Sequence, residues 1–331
     1  MIKVSAIIPT YKRPQETARC LKLLGESQFL NERFYLETVV VDSSPDDLTW
    51  QAIKPLVKDL NLNYSHLKKQ TPPGQARNLA VEKATSELII SVDSDIEFQK
   101  ETLWRIINFF KNHPTIARMT GKSIFLSGGK QGQTDRPTKW DRMFKENDTT
   151  FIEGIYGRYE AFYKSAFQKI GGYDPIFEFS GEGTDISVRF WRAGFPLGFG
   201  KDIIAYHNAE APESLRRHDP IRMARMYRAL FLVAYKYDLQ DPEFSPNFIK
   251  TFEERQTAYG QATEFHAIIS AAHSIDWFKK NYQEIVESKK KIPHDFDFKP
   301  FDIFTDKKLL DVCLSQAKEK IVPYYKRIFE K

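Results

Sequence analysis

The chain opens on a short branched-aliphatic run, and Lys3 to Ile8 read as a buried strand closed by Pro9. Pro14 stands where a first-turn proline belongs, and "QETARCLKLLGES" continues at helical spacing. The two periods then alternate. "LETVVVDSS" predicts a strand over about Leu36 to Val41, and Asp47 to Leu60 a helix. "LNYSHLK" predicts a short strand, "TPPGQARNLAVEKA" a helix begun by prolines, "SELIISVD" a strand, and Glu101 to Asn112 a helix. Such alternation predicts an α/β domain, a mostly parallel sheet with helices on both faces. Another strand is expected from Ile116 to Phe125. The polar stretch "LSGGKQGQTDRPTKWDRMFKENDTT" reads as a long loop that could close as a lid over a bound substrate. After it come a helix ending at Gly171 and Gly172, a helix over Glu182 to Ala193 and a strand ending near Tyr206. Past Asn208 helical patterns take over, at about Pro212 to Tyr237, Phe248 to Asn281 and Lys307 to Phe329. The expectation is a 1–208 α/β domain with a 209–331 helical extension. Pro323 is expected to interrupt the last helix.

In parallel α/β sheets ligands collect beyond the carboxyl ends of the strands. Asp42 stands at one such end, and Asp93 and Asp95 at another, in "LIISVDSDIEF". Two carboxylates separated only by Ser94 repel each other, and burial makes this worse. A divalent cation between them and a substrate phosphate would make the pair tolerable. Oxygen ligands select Mg²⁺ or Mn²⁺, which would neutralise charge on a pyrophosphate leaving group. The D-x-D pattern alone is weak, since "HDFDF" repeats it at Asp295 and Asp297 in a polar segment that reads as a solvated loop. A calcium-loop reading fails, because Trp104 stands where the twelfth-position Glu is needed. "GGK" lacks the spacing of a phosphate loop.

Composition narrows the classes. The 331 residues, 41% of them hydrophobic, suffice for one large core or two smaller ones. The net charge of +5 is spread among interspersed signs, unlike the basic stripe of a nucleic-acid binder. It suits an anionic substrate or a membrane face. Two cysteines, Cys20 and Cys313, give neither a disulfide framework nor a zinc site, which fits a reducing, cytoplasmic compartment. No apolar run approaches the roughly 20 residues of a spanning helix, and the N-terminal one is too short for a secretory leader. The basic and aromatic end "IVPYYKRIFEK" leaves three readings open: packing on the catalytic domain, which is favoured, a homodimer contact, or peripheral contact with an anionic inner membrane face.

Six motifs occur in one order: "VSAIIPTYKRP", "ETVVVDSS", "PPGQARNLAVEKA", "LIISVDSDIEF", "KIGGYDPIF" and "GEGTDISVRFWRAGF". In this order they resemble family 2 glycosyltransferases of the GT-A fold, over roughly Met1 to Asn208. The resemblance implies a UDP- or GDP-sugar donor, Mn²⁺ or Mg²⁺, and a hydroxyl of a glycan or lipid-linked acceptor, as in polysaccharide biosynthesis. It places Pro9, Thr10, Tyr11 and Arg13 around the nucleotide and gives Asp42 the base. Arg77, with Asn78 orienting its neighbours, reaches the donor. Asp95 becomes a direct metal ligand; Asp93 stands with it at the metal and holds ribose or a metal-bound water, and Ser94 lies against the donor. His207 is a third ligand. Each has a plainer reading: a turn aspartate for Asp42, an exposed helix arginine for Arg77, a structural histidine for His207.

The sequence departs from the family at "GEGTD". The general base that relatives carry at the start of this helix is here Gly183, with Glu182 and Asp185 on either side. One of these two is expected to deprotonate the acceptor hydroxyl in an inverting transfer, and retention stays open. Both acids also suit a helix N-terminus. The alternative is a nucleotide-sugar-binding scaffold without turnover; a nucleotidyltransferase would need glycines that "PTYKRP" lacks. Trp140, Tyr156, Tyr159, Tyr173, Phe177 and Trp191 fall toward the acceptor side, most of them as core. His266 and His273 read as packing or surface residues.

Overall fold

The N-terminal apolar runs have no polar face, so both of their sides must be covered. The computed structural model describes residues 1–29, 34–58, 60–127, 130–134, 142–156, 158–208, 225, 228–229, 232–238, 276–296, 304 and 307–330. In it these runs are interior strands of an eleven-stranded sheet. β1 (Ile2–Thr10) pairs in parallel with β2 (Phe34–Asp42) and β4 (Leu88–Val92), and β2 with β3 (Asn61–His66). The crossovers are α1 (Pro14–Phe29), α2 (Leu48–Ile53) with a 3-10 turn after it, and α3 (Pro73–Lys83). Val4, Ile7, Val39, Val40, Ile89 and Ile90 are fully buried.

Beyond β4 the sheet is mixed. β5 (Ile96–Phe98) and α4 (Thr102–Asn112) lead to β6 (Arg118–Ser127), and β10 (Tyr159–Tyr163) lies between β4 and β6, antiparallel to both. After α5 (Lys164–Lys169) and α6 (Glu182–Arg192), β11 (Leu197–His207) runs parallel to β6 and antiparallel to β5. The expected long loop instead contributes β7 (Lys130–Thr134) on β6, β8 (Met143–Glu146) and β9 (Thr149–Ile152). These strands extend the sheet at its margins, where a polar sequence is no bar to pairing. "YEAFY", to which the sequence assigns no strand, is strand β10; its buried Glu160 is neutralised by Arg118, so every residue of it can be interior.

The tail packs onto this sheet. A helical stretch at 232–236, α7 (Tyr282–Lys290) and α8 (Lys307–Phe329) are described, and the expected helix before residue 276 lies outside the described residues. α8 runs through Pro323 instead of stopping there. The missing amide is offset by packing: Leu310, Cys313, Ala317 and Ile321 are buried at helical spacing and belong to the same core as β1 and β4. Tyr324 lies against Tyr163 and Phe195, with ring centres 6.0 and 6.2 Å away. The basic, aromatic C-terminal motif therefore packs on the sheet domain. A smaller cluster joins Ile176, Phe177 and Val188 to Ala229, Leu232, Val233, Tyr237 and Ile285. Cys20 and Cys313 are free and buried, and burial pushes both thiols up. Among the described residues no helix is long and apolar enough to cross a membrane.

Candidate active site

β1 and β2 end in register at Thr10 and Asp42, and β4 ends beside them at Val92. Beyond these ends lies a cavity of about 890 Å³. Its walls include Pro9, Thr10, Tyr11, Arg13, Ser43, Thr71, Arg77, Asp93, Ser94, Asp95, Tyr156, Arg158, Glu182 and His207. Most of the expected site residues thus converge, although they span some 200 positions of the sequence.

Each acid of the pair has its own counter-ion. Asp93 accepts from the Arg77 guanidinium and, at 3.2 Å, from the backbone N–H of Arg158. Arg158 adopts φ +68°, and its guanidinium lies 5.7 Å from the Phe125 ring centre. Arg77 is buried, with the Tyr173 ring 5.6 Å away, so it is a cavity wall and not an exposed helix arginine. Asp95 is 7% exposed, and its Oδ2 meets the Arg13 guanidinium and, at 3.1 Å, His207 Nε2. Burial opposes the Asp95 charge, but His207 and Arg13 outweigh it and hold the carboxyl at about 2. His207 reaches this place because β5 pairs Ile96 with it, and Phe125 lies against its ring at 4.6 Å. Its Nδ1 is buried without a partner among the described residues.

Carboxylate and imidazole donors suit Mn²⁺. The Asp95–His207 separation of 3.1 Å matches neighbouring ligands on an ion with bonds of ~2.1 Å, which stand ~3.0 Å apart. Asp95 and His207 are therefore the residues that would hold such a cation. Asp93 stands beside them, its oxygens taken here by the Arg77 guanidinium and the Arg158 backbone N–H. Among the described residues no three His, Cys, Asp or Glu side chains are gathered at metal spacing.

Glu182 begins α6 after two residues with left-handed backbone, Ser180 (φ +66°) and Gly181 (φ +79°). It faces the cavity, and its Oε2 is buried without a partner among the described residues. Burial raises its pKa, against the pull of Arg77. Gly183 cannot carry the family's acid in this backbone, since a Cβ there would lie 2.8 Å from the Ile155 carbonyl oxygen. Gly183→Ala is expected to cost about 1–3 kcal/mol in stability, and Gly183→Asp to add no turnover; thermal melts and a transfer assay check both.

Three expected site residues lie elsewhere. Asp185 is fully buried on the far side of α6, paired with Arg189 at 2.7 Å and Lys236 at 2.6 Å. Burial opposes its charge, but Arg189 and Lys236 hold its carboxyl below the usual range, so it is no base for a substrate in the cavity. Asn78 is used up by Tyr173, donating to its carbonyl at 2.8 Å and accepting its N–H at 2.9 Å. It braces the turn after α5 and does not line the cavity. Asp42 is a fully buried turn acid that accepts from Ser44 N–H at 2.9 Å, Ser44 Oγ at 2.6 Å and Tyr64 Oη at 2.8 Å. Ser43, not Asp42, lines the cavity. Sequence reasoning missed Arg158, Phe125 and Arg225 on the walls; no local motif marks them.

Tyr159 and Tyr173 spend their hydroxyls on Ile203 O and Glu160, and Trp191 donates its indole N–H to Ile152 O. They are core, as is Phe177, whereas Tyr156 lines the cavity. Asp295 pairs at the surface with Lys320, 3.0 Å away, and takes no part in the site. Trp140, His266, His273 and Asp297 lie outside the described residues.

A family model described as "Glycosyl transferase family 2" matches residues 5–171. Over 176 residues, 47% of this chain, the sequence is 36% identical to the poly(ribitol-phosphate) beta-N-acetylglucosaminyltransferase TarS of Staphylococcus aureus, and the match covers 30% of TarS. The chain thus spans about a third of the length of that relative. The structure of residues 1–349 of S. aureus TarS with UDP-GlcNAc superposes at a TM-score of 0.56 and 20% identity, over 99% of this chain and 91% of that one. The Pyrobaculum calidifontis mannosyltransferase PcManGT, solved with GDP-Man and Mn²⁺, superposes at 0.52 and 18% identity, over 96% and 86%. These likenesses show a shared GT-A fold. With the family match extending from β1 past the paired acids to the turn after α5, the chain belongs to glycosyl transferase family 2.

Proposed function

We propose that this chain transfers a sugar from a UDP- or GDP-sugar to a hydroxyl of a glycan or glycoconjugate. The observation that carries this reading is one shared cavity in which Arg13, Arg77 and the acid pair face the buried, partly unsatisfied Glu182. The arginines suit a diphosphate, because a guanidinium offers forked donors to its oxygens. Pro9, Tyr11, Ser43 and Thr71 form the wall for the nucleoside. Mn²⁺ or Mg²⁺ bound by Asp95 and His207 would neutralise charge on the departing diphosphate.

Glu182 is the base. It takes the proton of the acceptor O–H as that oxygen bonds to the anomeric carbon. The bond from that carbon to the diphosphate oxygen breaks, and the nucleoside diphosphate leaves with the electron pair. A single displacement of this kind inverts the anomeric centre. For the acceptor, TarS is named for poly(ribitol-phosphate), and Arg225 on the cavity wall suits an acceptor that carries phosphate.

Calorimetry with UDP- and GDP-sugars, with and without Mn²⁺, followed by a transfer and donor-hydrolysis assay, tests this reading. Metal-dependent binding with turnover is the expected result. Binding without turnover across a panel of acceptors would instead mark a nucleotide-sugar-binding scaffold, and no binding would overturn the reading altogether.

A further inference from the structure

Lys236 has no part in the cavity, yet it is fully buried. Its Nζ lies 2.6 Å from Asp174 Oδ2 and 2.6 Å from Asp185 Oδ1, with the Phe177 ring centre 5.3 Å away. A buried ammonium is costly unless it is paired and hydrogen-bonded, and the surrounding cluster of Ile176, Val188, Leu232 and Val233 is apolar. Hydrophobic packing alone would not select a lysine here. The same two carboxylates draw in further groups. Tyr237 donates its hydroxyl to Asp185 Oδ1 at 2.9 Å, Ser288 of α7 donates to Asp174 Oδ2 at 2.5 Å, and Arg189 closes the other side of Asp185.

These two carboxylates bracket the segment that presents Glu182. Asp174 stands before it in the turn after α5, and Asp185 lies in the first turn of α6, on the side away from the cavity. The start of α6 has little local reason to hold one orientation. Its N-cap is Gly181, with no side-chain cap, and it follows Ser180, also at positive φ. The tail lies directly against it: a Cβ on Gly181 would come within 2.9 Å of Ala229 Cβ.

We propose that Lys236 is a positioning residue for the transfer reaction, clamping Asp174 and Asp185 so that the first turn of α6 holds Glu182 at the reacting centre. The C-terminal region is then part of the catalytic apparatus. This inference rests on the reading of Glu182 as the base, and the tests below separate the two.

Two measurements on the full chain decide it. The first is amide hydrogen exchange. In Lys236→Met, exchange over residues 180–186 is expected to quicken about tenfold or more, with β1 and β4 unchanged; unaltered exchange there overturns the clamp whatever the catalysis. The second is a double-mutant cycle, read as hydrolysis of UDP-N-acetylglucosamine and GDP-mannose with water as the acceptor. Lys236→Met is expected to lower kcat about 10- to 100-fold with the Kd for UDP or GDP unchanged, and to have less than about a twofold effect in a Glu182→Gln background. An equal loss in both backgrounds means Lys236 does not act through Glu182 and overturns the proposal. Full activity of Glu182→Gln alone would instead sink the base assignment and leave the exchange result to judge the clamp. Should Lys236→Met not fold, Ser288→Ala removes one hydroxyl from Asp174 and is expected to show the same pattern at about two- to fivefold; no change in its exchange or kcat counts against the clamp.

Discussion

Glu182→Gln is expected to lower sugar transfer by about 10²–10⁴-fold, leave nucleotide binding intact and raise the melting temperature at pH 8. The three outcomes have one cause. Glu182 is buried, and one of its oxygens has no partner among the described residues, so desolvation favours the protonated acid. Between the ordinary value of 4.5 and its raised value in the fold, the folded chain holds a proton that the unfolded chain has released. Stability therefore falls as pH rises through that window, and the full penalty remains above it. Glutamine has no such penalty. The variant should gain stability at pH 8, and the gain should shrink as the pH is lowered toward 4.5. Melts at several pH values and a transfer assay check this. A fully active variant would place the base elsewhere; an inactive variant that is less stable at pH 8 would make Glu182 a structural acid.

The paired acids were legible in the sequence because they break a local rule. A buried strand that ends in two carboxylates is electrostatically odd, and a substrate or ion resolves the oddity. Arg77 and Glu182 were legible as charged residues near strand or helix ends in a known motif order. Asp42, Asn78 and Asp185 look the same in the sequence, yet their oxygens turn inward. What decides each case is a distant partner: Tyr64 for Asp42, 22 positions on; Tyr173 for Asn78, 95 positions on; Tyr237 with Lys236 for Asp185, Tyr237 being 52 positions on. No local pattern encodes such partners. The same limit hid β10, since four apolar and aromatic residues around a Glu can be strand or helix until Arg118 is seen beneath them. It also hid β5, three residues long and too short to show a period, although β5 is what sets His207 beside Asp95. The tail was legible as helix, and packing on the catalytic domain was its favoured reading; which face is buried became visible only where Cys313, Ala317 and Ile321 met the sheet.

Asp95→Asn is expected to remove most of the Mn²⁺ contribution to nucleotide binding, about 10–100-fold or more in affinity. One Asp95 oxygen meets both Arg13 and His207, so without an ion the Arg13 guanidinium balances the Asp95 charge. With a cation held at that oxygen, Arg13 would be free to turn its guanidinium toward a phosphate. Asparagine keeps the shape and loses the charge that either cation requires. Nucleotide affinity in chelator should then hold or rise, since Arg13 is already released in the variant. The affinity with Mn²⁺ should fall to the chelator value. The ratio of the two affinities is thus the informative quantity, and calorimetry with UDP and with GDP, each with Mn²⁺ and with EDTA, supplies it. His207→Ala should reduce the ratio in the same direction. If the Mn²⁺ enhancement persists at full size in Asp95→Asn, the ion is held by other groups, and the acids serve only to brace Arg13 and Arg77.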